Sequence, residues 1–274
     1  NLPIIDDWLD NKFIEKNKLL NWNQAIKNLH SSEIKDNKSK SYRRLVFDEI
    51  CANFLSLSEN RKRIKRNKKE KIFTRKKVDT LIKRLPFKLT NSQINVLDEI
   101  NQDLLSNKRM FRIVQGDVGS GKTIVSLLSI FNVAQSGYQS ALMSPTEILA
   151  KQHFELSKKI FNNLLRISFL TGKTEYKERK KILNELKEGK IDLIIGTHAL
   201  FQKKIEFNKL GLTVIDEQHK FGVKQRSDLA KKGGNNCDVL LMSATPIPRT
   251  MMMSLYGDMD VSKIKEKPDK RKPI

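Results

Sequence analysis

The sequence contains few cysteines and no long apolar run, and these absences exclude several classes of protein. Cys51 and Cys237 are its only cysteines, and their separation fits neither a disulfide framework nor a metal-ligand pattern. We therefore expect two reduced thiols in a cytoplasmic protein. The longest apolar stretches have four to six residues, whereas a membrane-spanning helix needs about 20. The N-terminus has no apolar signal region either, so we expect no membrane partner.

Positive charge is in large excess and is unevenly distributed. The formal net charge is +22 over 274 residues, which is typical of proteins that bind nucleic acid. A lysine-rich composition can also arise from AT-rich coding. However, residues 59–88 contain 14 Lys and Arg against three acidic residues, so half of the net charge lies in about a ninth of the chain. This concentration favours contact with a polyanion; a solvent-exposed helix face is the alternative.

Two regions differ in their pattern. The first region, residues 1–85, contains no strand-like run before about residue 80. Its apolar residues in 42–55 recur at helical spacing. We therefore predict a basic helical segment over 1–85. Residues 86–274 form the second predicted domain, because short apolar runs alternate there with longer amphipathic segments.

This alternation predicts an α/β fold in the second region. The apolar runs predicted to form strands are 111–115, 141–144, 167–170, 193–196, 212–216 and 239–242. The segments predicted to form helices are 123–135, 147–161, 175–186 and 224–231. Buried strands that alternate with helices specify a parallel sheet flanked by helices. Ligands bind such sheets beyond the carboxyl ends of the strands.

The first motif at a strand end is a complete phosphate-binding loop. It follows the strand 111–115, opens a helix, and consists of Gly116, Asp117, Val118, Gly119, Ser120, Gly121, Lys122 and Thr123. Glycines let backbone N–H groups approach phosphates, and the helix N-terminus favours negative charge. We expect Lys122 to contact the β- and γ-phosphates and the Thr123 hydroxyl to bind Mg²⁺. The alternative, a simple glycine-rich turn, does not account for the strand–loop–helix setting.

An acidic pair ends the strand that begins at residue 212. Asp216 and Glu217 fit a second nucleotide motif, in which Asp216 holds Mg²⁺ through water and Glu217 polarises the attacking water. Acidic residues are common at strand ends, so the pair gains its meaning from the loop that precedes it. Gln218 and His219 follow directly. We interpret His219 as a γ-phosphate sensor, and a plain surface histidine is the alternative.

An Asp-Glu-x-His box beside a phosphate-binding loop resembles the superfamily 2 helicases and translocases. Ser243, Ala244 and Thr245 are similar to motif III of that family. The resemblance implies that these residues, together with Gln218, couple the ATP site to the nucleic-acid path. Gln93 resembles the family's adenine-recognising glutamine, although Thr90 is also a plausible N-cap that would place Gln93 simply at a helix start.

Further motifs resemble the RecG family of these helicases. Residues 144–153 are similar to its motif Ia, and residues 196–200 are similar to its next strand-binding motif. The extensions at 220–223 and 247–250 are shared by the RecG and Mfd families. The resemblance covers residues 40–274 and is most specific from residue 111 onward.

Three features favour RecG over Mfd, namely Glu147, Gln218 and residues 256–262. The resemblance implies that four residues approach the DNA backbone: Pro145, Thr146, Thr197 and His198. A hydroxyl or a backbone N–H binds phosphate without reading sequence. Taken alone, Thr146 is also where an N-cap is expected.

The family resemblance implies a RecA-like lobe of an ATP-dependent DNA helicase that uses ATP and Mg²⁺ to remodel branched or duplex DNA. RecG proteins also have an upstream wedge domain and a second helicase lobe in the same polypeptide. Because neither is recognisable here and Asn1 is not a methionine, we expect a fragment that hydrolyses ATP weakly alone. The alternatives are an Mfd-type translocase and a DNA-binding module with a degenerate ATP site.

Overall fold

The computed structural model of this chain describes residues 4–30, 39–64, 67–202, 205–217, 234–245 and 259–266. The chain divides into two compact units, of which one contains Asn1–Arg61 and the other begins at Lys62. The boundary between residues 85 and 86 remains a proposal. Along the described part of the chain, no helix combines the length and the apolar character needed to cross a membrane.

Within the described residues the chain forms eight α-helices. They are α1 (Asn11–Lys16), α2 (Trp22–His30), α3 (Lys40–Ile64), α4 (Arg75–Lys83), α5 (Asn91–Leu105), α6 (Lys122–Gln135), α7 (Glu147–Phe161) and α8 (Tyr176–Lys187). Short 3-10 helices lie at His198–Phe201 and Gly234–Asn236. The sequence prediction for 147–161 matches α7. The predicted helix 123–135 differs from α6 by one residue at its start, and the predicted helix 175–186 differs from α8 by one residue at each end.

The first unit is held together by a buried arginine. The Arg44 side chain is fully buried, and its guanidinium donates hydrogen bonds to Asp7 at 2.6 Å and to Asp48 at 3.0 Å. A further hydrogen bond goes to the carbonyl oxygen of Leu20 at 2.8 Å. Hydrogen bonds from Arg44 lower the pKa of the Asp7 carboxyl. One side chain therefore joins α3 to the segments on both sides of α1, and the predicted helical character of this region is confirmed.

The second unit contains a parallel sheet, as predicted. Its seven strands among the described residues are β1 (Phe111–Gly116), β2 (Gln139–Met143), β3 (Ile167–Leu170), β4 (Leu193–Gly196), β5 (Leu210–Ile215), β6 (Asp238–Ser243) and β7 (Asp260–Ile264). They lie in the order β3-β4-β2-β5-β6-β1-β7, and every pair is parallel. The first six match the predicted apolar runs. The seventh was not predicted, and the helix predicted at 224–231 lies outside the described residues.

Burial along the strands agrees with this arrangement. Strands β2, β4, β5 and β6 are buried at every residue, as expected when helices cover both faces of a parallel sheet. The helix α6 is also buried over most of its length. It packs among apolar residues of α5, β1 and β5 in one continuous core. The sheet therefore offers its strand ends, rather than its faces, as binding sites.

Two lysines are buried at the amino end of β6. Lys68 and Lys71 both donate from Nζ to Asp238 Oδ2, at 2.8 and 2.5 Å, and all three side chains are fully buried. The other carboxylate oxygen of Asp238 accepts the backbone N–H of Met110 at 2.7 Å. Burial lowers the pKa of the Lys68 ammonium, and the nearby Asp238 charge opposes this shift. The cluster anchors the segment before α4 to the sheet.

Candidate nucleotide and nucleic-acid site

The strand order brings the sequence motifs to one edge of the sheet. Because all strands are parallel, their carboxyl ends lie side by side, about 4.8 Å apart. The phosphate-binding loop follows β1, the motif III residues end β6, and the acidic pair follows β5. The next two strands, β2 and β4, end at the residues that resemble DNA-contacting motifs. The nucleotide and DNA motifs thus occupy adjoining halves of one edge, with Asp216 between them.

The phosphate-binding loop connects β1 to α6 without a side-chain cap. Gly121 is the N-cap of α6, has φ +89°, and makes no side-chain hydrogen bond to the helix. An uncapped helix start leaves backbone N–H groups available to an anion. The Lys122 ammonium donates to the carbonyl oxygens of Gly116 at 2.6 Å and Asp117 at 3.0 Å. The loop therefore folds back over the residue that is expected to bind phosphate.

Lys122 lies in an electrostatic setting suited to an anion. Its side chain is 9% exposed, and burial lowers the pKa of its ammonium group. Three carboxylates oppose this shift, in the order Glu217, Asp216 and Asp117. The acidic pair after β5 is therefore close enough to the phosphate-binding loop to influence Lys122. This juxtaposition requires the strand order β5-β6-β1.

The donor set of this loop fits a nucleoside triphosphate with Mg²⁺. Ser120 Oγ is buried and has no hydrogen-bond partner in the described structure, so it offers a free hydroxyl inside the loop. Hydroxyl and carboxylate oxygens, such as those of Thr123 and Asp216, are the kind of donor that Mg²⁺ and its bound water prefer. Thr123 lies in the first turn of α6.

Gln93 lies against the same loop. It occupies the third position of α5 in a capping box with Thr90, whose N–H donates to Gln93 Oε1 at 3.0 Å. Its Nε2 donates to the carbonyl oxygen of Ser120 at 2.7 Å, and the residue is 2% exposed. The interpretation of Gln93 as a residue at a helix start is therefore confirmed, and its bond to Ser120 also places it against the loop. Recognition of adenine by its amide stays a prediction.

The acidic pair after β5 has a constrained geometry. Asp216 is 8% exposed, and its Oδ1 accepts the backbone N–H of Glu217 at 3.0 Å. Glu217 has φ +47°, a left-handed conformation that is uncommon for a residue with a Cβ and frequent at functional sites. The backbone N–H of Asp216 donates to the carbonyl of Met143 on β2 at 2.8 Å. The pair is thus fixed between the two halves of the edge.

Two of the residues that resemble motif III, Ser243 and Thr245, are hydrogen-bonded to each other at the end of β6. The Ser243 hydroxyl lies 3.0 Å from the carbonyl oxygen of Thr245, to which it donates, and 3.1 Å from the Thr245 hydroxyl. Ser243 is fully buried and Thr245 is exposed. Ala244 lies between them at intermediate burial. This turn stands between the acidic pair and the phosphate-binding loop, because β6 lies between β5 and β1.

The four residues that resemble DNA contacts lie at the ends of β2 and β4. Thr146 is exposed and caps α7, since its hydroxyl accepts the N–H of Leu149 at 3.3 Å. Pro145 precedes it at intermediate burial. Thr197 is 2% exposed, and its hydroxyl has no hydrogen-bond partner in the described structure. His198 beside it is exposed. Neighbouring strands therefore bring all four to one edge of the sheet, where Thr146 and His198 are exposed and Thr197 is buried.

Some predicted site residues fall outside the part of the chain that is described. Gln218 and His219 directly follow the acidic pair and belong to this group. The extensions at 220–223 and 247–250 do as well. Their proposed roles rest on the sequence motifs alone.

One residue of the site was not singled out by the sequence. His153 on α7 is 7% exposed, and its Nε2 lies 2.8 Å from Asp216 Oδ2. The buried residues of α7 are Ala150, His153, Ser157 and Phe161. This spacing marks one helix face, so a histidine on the buried face of a helix was the available signal.

The described lysines of the basic run, which is residues 59–88, do not lie on one exposed surface. Lys68 and Lys71 are buried against Asp238, so they do not contact a polyanion. Lys76 and Lys77 on α4 are exposed, and they remain candidates for that contact. The interpretation of the whole run as a polyanion-binding stretch is therefore wrong for the two buried lysines.

Comparison with known proteins agrees with these motifs. The family model of the DEAD/DEAH box helicase matches residues 90–254. The chain is 45% identical over 273 residues to the ATP-dependent DNA helicase RecG of Synechocystis sp., covering 98% of this chain and 33% of that protein. It is 44% identical over 275 residues to RecG of Streptococcus pneumoniae serotype 4, covering 99% of this chain and 40% of that protein. The chain therefore spans about a third to two fifths of these relatives.

Solved structures show the same likeness. A structure of RecG bound to a three-way DNA junction is similar over 99% of this chain and 37% of that one, with a TM-score of 0.78 and 38% identity. A hypothetical ATP-dependent RNA helicase from Sulfolobus tokodaii shares the fold only, with a TM-score of 0.53 and 20% identity over 69% of this chain and 57% of that one. The RecA-like fold and the resemblance to RecG are thus confirmed. The chain belongs to the DEAD/DEAH box helicase family.

Proposed function

We propose that this chain is the first, ATP-binding lobe of a RecG-type DNA helicase that remodels branched DNA in recombination and repair. The observation that carries the proposal is the shared sheet edge, where Lys122 lies within electrostatic reach of Asp216 and Glu217. The adjoining half of the edge contains the exposed Thr146 and also Thr197, whose buried hydroxyl has no partner in the described structure. One edge thus combines a nucleotide site with hydroxyl groups suited to DNA phosphates.

Each nucleotide-site residue has a proposed task that follows from its placement. Lys122 would leave its two carbonyl partners to hold the β- and γ-phosphates, which compensate its buried charge. Thr123 and Asp216 would hold Mg²⁺, which when bound neutralises phosphate charge. Glu217 would polarise the attacking water, and His219 would sense the γ-phosphate. Gln93 would read the adenine base with the amide groups that it does not use in the fold.

The strands that carry the proposed DNA-facing residues, β2 and β4, and the strand that ends at Ser243, β6, lie on either side of β5 and its acidic pair. Pro145, Thr146, Thr197 and His198 would contact the DNA backbone. The residues that would couple this contact to the ATP site are Gln218, Ser243, Ala244 and Thr245. Backbone contacts of this kind position the protein without reading sequence. This agrees with a substrate that is defined by its branched shape.

The proposed activity needs domains in addition to this lobe. Because this chain spans about a third to two fifths of their length, we propose that an upstream wedge domain and a second lobe complete the activity. The lobe alone would then hydrolyse ATP slowly. Both relatives reported above are RecG helicases, which favours RecG over an Mfd-type translocase. A DNA substrate and two free cysteines are consistent with a cytoplasmic location.

The proposal is tested by ATP hydrolysis in the full-length protein with forked and with linear duplex DNA. Forked DNA should stimulate hydrolysis more strongly than linear DNA. Lys122→Ala should lower turnover by about 100-fold or more, because it removes the positive charge that would stabilise the transferring phosphoryl group. Lys159→Ala is the control, since Lys159 is exposed near the end of α7 that is remote from this edge. Equal stimulation by both DNAs would refute the branched substrate, and undiminished turnover in Lys122→Ala would refute the ATP site.

A further inference from the structure

His153 contacts the carboxylate that is expected to hold Mg²⁺. Its Nε2 lies 2.8 Å from Asp216 Oδ2, and the two residues are 7% and 8% exposed. A carboxylate only accepts hydrogen bonds, so Nε2 must carry the proton and donate it. Burial limits the access of water that would compete for this bond. The contact is therefore part of the packed interior rather than of the exposed surface.

Both oxygens of the Asp216 carboxylate are held by the protein. Oδ1 accepts the backbone N–H of Glu217 at 3.0 Å, and Oδ2 accepts the His153 ring N–H. Two donors on different oxygens fix the rotation of a carboxylate about its terminal bond. The backbone donor is present whatever the side chain at position 217. The His153 donor is therefore the part of this arrangement that a side-chain substitution removes.

The helix that bears His153 also bears a proposed DNA contact. His153 lies seven residues beyond the α7 N-cap Thr146, which is about 10 Å along a helix axis. Ser157 Oγ donates to the carbonyl oxygen of His153 at 2.7 Å, and Ala150 and Ser157 are fully buried on the same face. The ring is thus held on a rigid, packed element. A shift of α7 would act directly on Asp216.

We infer that His153 is a positioning residue for the Mg²⁺ site, which orients Asp216 and ties it to the helix that begins at the DNA-facing edge. This inference rests on the proposed function, because it concerns the same nucleotide site. In this inference His153 acts through its bond to Asp216 and not through a contact of its own with nucleotide or metal. Its loss should therefore weaken the use of Mg²⁺ while leaving metal-independent nucleotide contacts in place.

The experiment measures binding of a fluorescent non-hydrolysable ATP analogue to the full-length protein, first in EDTA and then across a Mg²⁺ titration. In His153→Met, which keeps the bulk but has no donor, the half-saturating Mg²⁺ concentration should rise about 10-fold, as is usual when a partner of a metal ligand is removed. Affinity in EDTA should change by less than about twofold, since the phosphate-binding loop is intact. His153→Gln, whose amide can donate from a similar position, should recover most of the Mg²⁺ dependence.

A structural role alone would give a different pattern. If His153→Met and His153→Gln both lower analogue affinity equally in EDTA and in Mg²⁺, or if His153→Met leaves the Mg²⁺ dependence unchanged, the inference is overturned. Should His153→Met fail to fold, His153→Asn replaces it, because its shorter amide does not reach Asp216. Recovery in Gln but not in Asn would then support the inference, and identical behaviour of the two would overturn it.

The same titration separates the inference from the proposed function. Wild-type protein that shows no analogue binding dependent on Lys122 would overturn both. Wild-type protein that binds the analogue through Lys122 with a Mg²⁺ dependence that the His153 variants share would overturn the inference alone.

Discussion

Gln93 Nε2 and the carbonyl oxygen of Ser120 are 2.7 Å apart, so the start of α5 is bonded directly to the phosphate-binding loop. The next residue of that loop is Gly121, whose φ is +89°. A Cβ at Gly121 would lie 2.2 Å from Gln93 Nε2. The conformation of the loop and the position of the glutamine are therefore mutually dependent.

Replacing Gly121 should impair nucleotide binding more than it impairs folding. We expect Gly121→Ala to weaken ATP binding at least about 10-fold, because the added methyl displaces Gln93 and the left-handed backbone costs roughly 1–2 kcal/mol. Gly137→Ala is the matched control, since Gly137 has φ +75° but open space around a Cβ. Isothermal titration with ATP and thermal unfolding of both variants distinguish the two effects. Equal loss of ATP affinity in the two variants would contradict the expectation.

The buried cluster at β6 should dominate the stability of the sheet unit. Asp238→Asn leaves Lys68 and Lys71 buried without a counter-charge, and we expect the free energy of unfolding to fall by about 3–5 kcal/mol. Glu206→Gln serves as the control, because Glu206 pairs with Lys187 where both side chains are more than half exposed. Urea unfolding at neutral pH measures both. A decrease in Asp238→Asn no larger than in the control would show that the cluster contributes little.

The exposed part of the basic run should contribute to DNA affinity by neutralising phosphates. Replacing Lys76 and Lys77 together with alanine should reduce the salt slope of duplex DNA binding by up to about 2, close to one for each phosphate that is no longer neutralised. The control replaces Lys187 and Lys190, which are exposed and paired with acidic residues. Fluorescence anisotropy at several salt concentrations gives the slopes. An unchanged slope for Lys76 and Lys77 would assign them to a solvated helix face.

The helical unit should lose stability in acid through Asp7. Hydrogen bonds from Arg44 lower the pKa of Asp7 in the folded chain. Its contribution to stability is therefore complete above the unfolded pKa of about 3.9 and is lost as the pH falls through the lower, folded value. Asp7→Asn should flatten the acid dependence of unfolding, whereas Asp6→Asn, an exposed neighbour, should not. Circular dichroism melts between neutral and strongly acidic pH compare the three proteins.

The sequence was sufficient to predict the strands in the interior of the sheet, and insufficient to predict the edge strand β7. Strands such as β6 are continuous apolar runs because both of their faces are buried. At the sheet edge, β7 has the sequence Asp-Val-Ser-Lys-Ile and alternates between more and less buried residues, so it contains no apolar run to detect. The order of the strands was also beyond the sequence, because periodicity identifies strands without naming their neighbours.

Residues of the candidate site could be predicted where they are close together in the sequence, and not where their partners are far away in it. The phosphate-binding loop is one contiguous motif, so its residues were identified together. The sequence around Lys68 is basic, like that around the exposed lysines of the same run, so it does not mark Lys68 as buried. Its partner Asp238 is 170 residues away. His153 and Asp216 are 63 residues apart in the sequence. Such pairs become visible only when the sheet has set the strands side by side.

The buried cluster also limits where the polypeptide can be cut. A fragment that began at residue 86, at the change in sequence composition, would lack Lys68 and Lys71. It would fold with the Asp238 carboxylate buried and both of its cations removed. A stable fragment that contains the parallel sheet should therefore start before Lys68, so that part of the basic region belongs with the sheet.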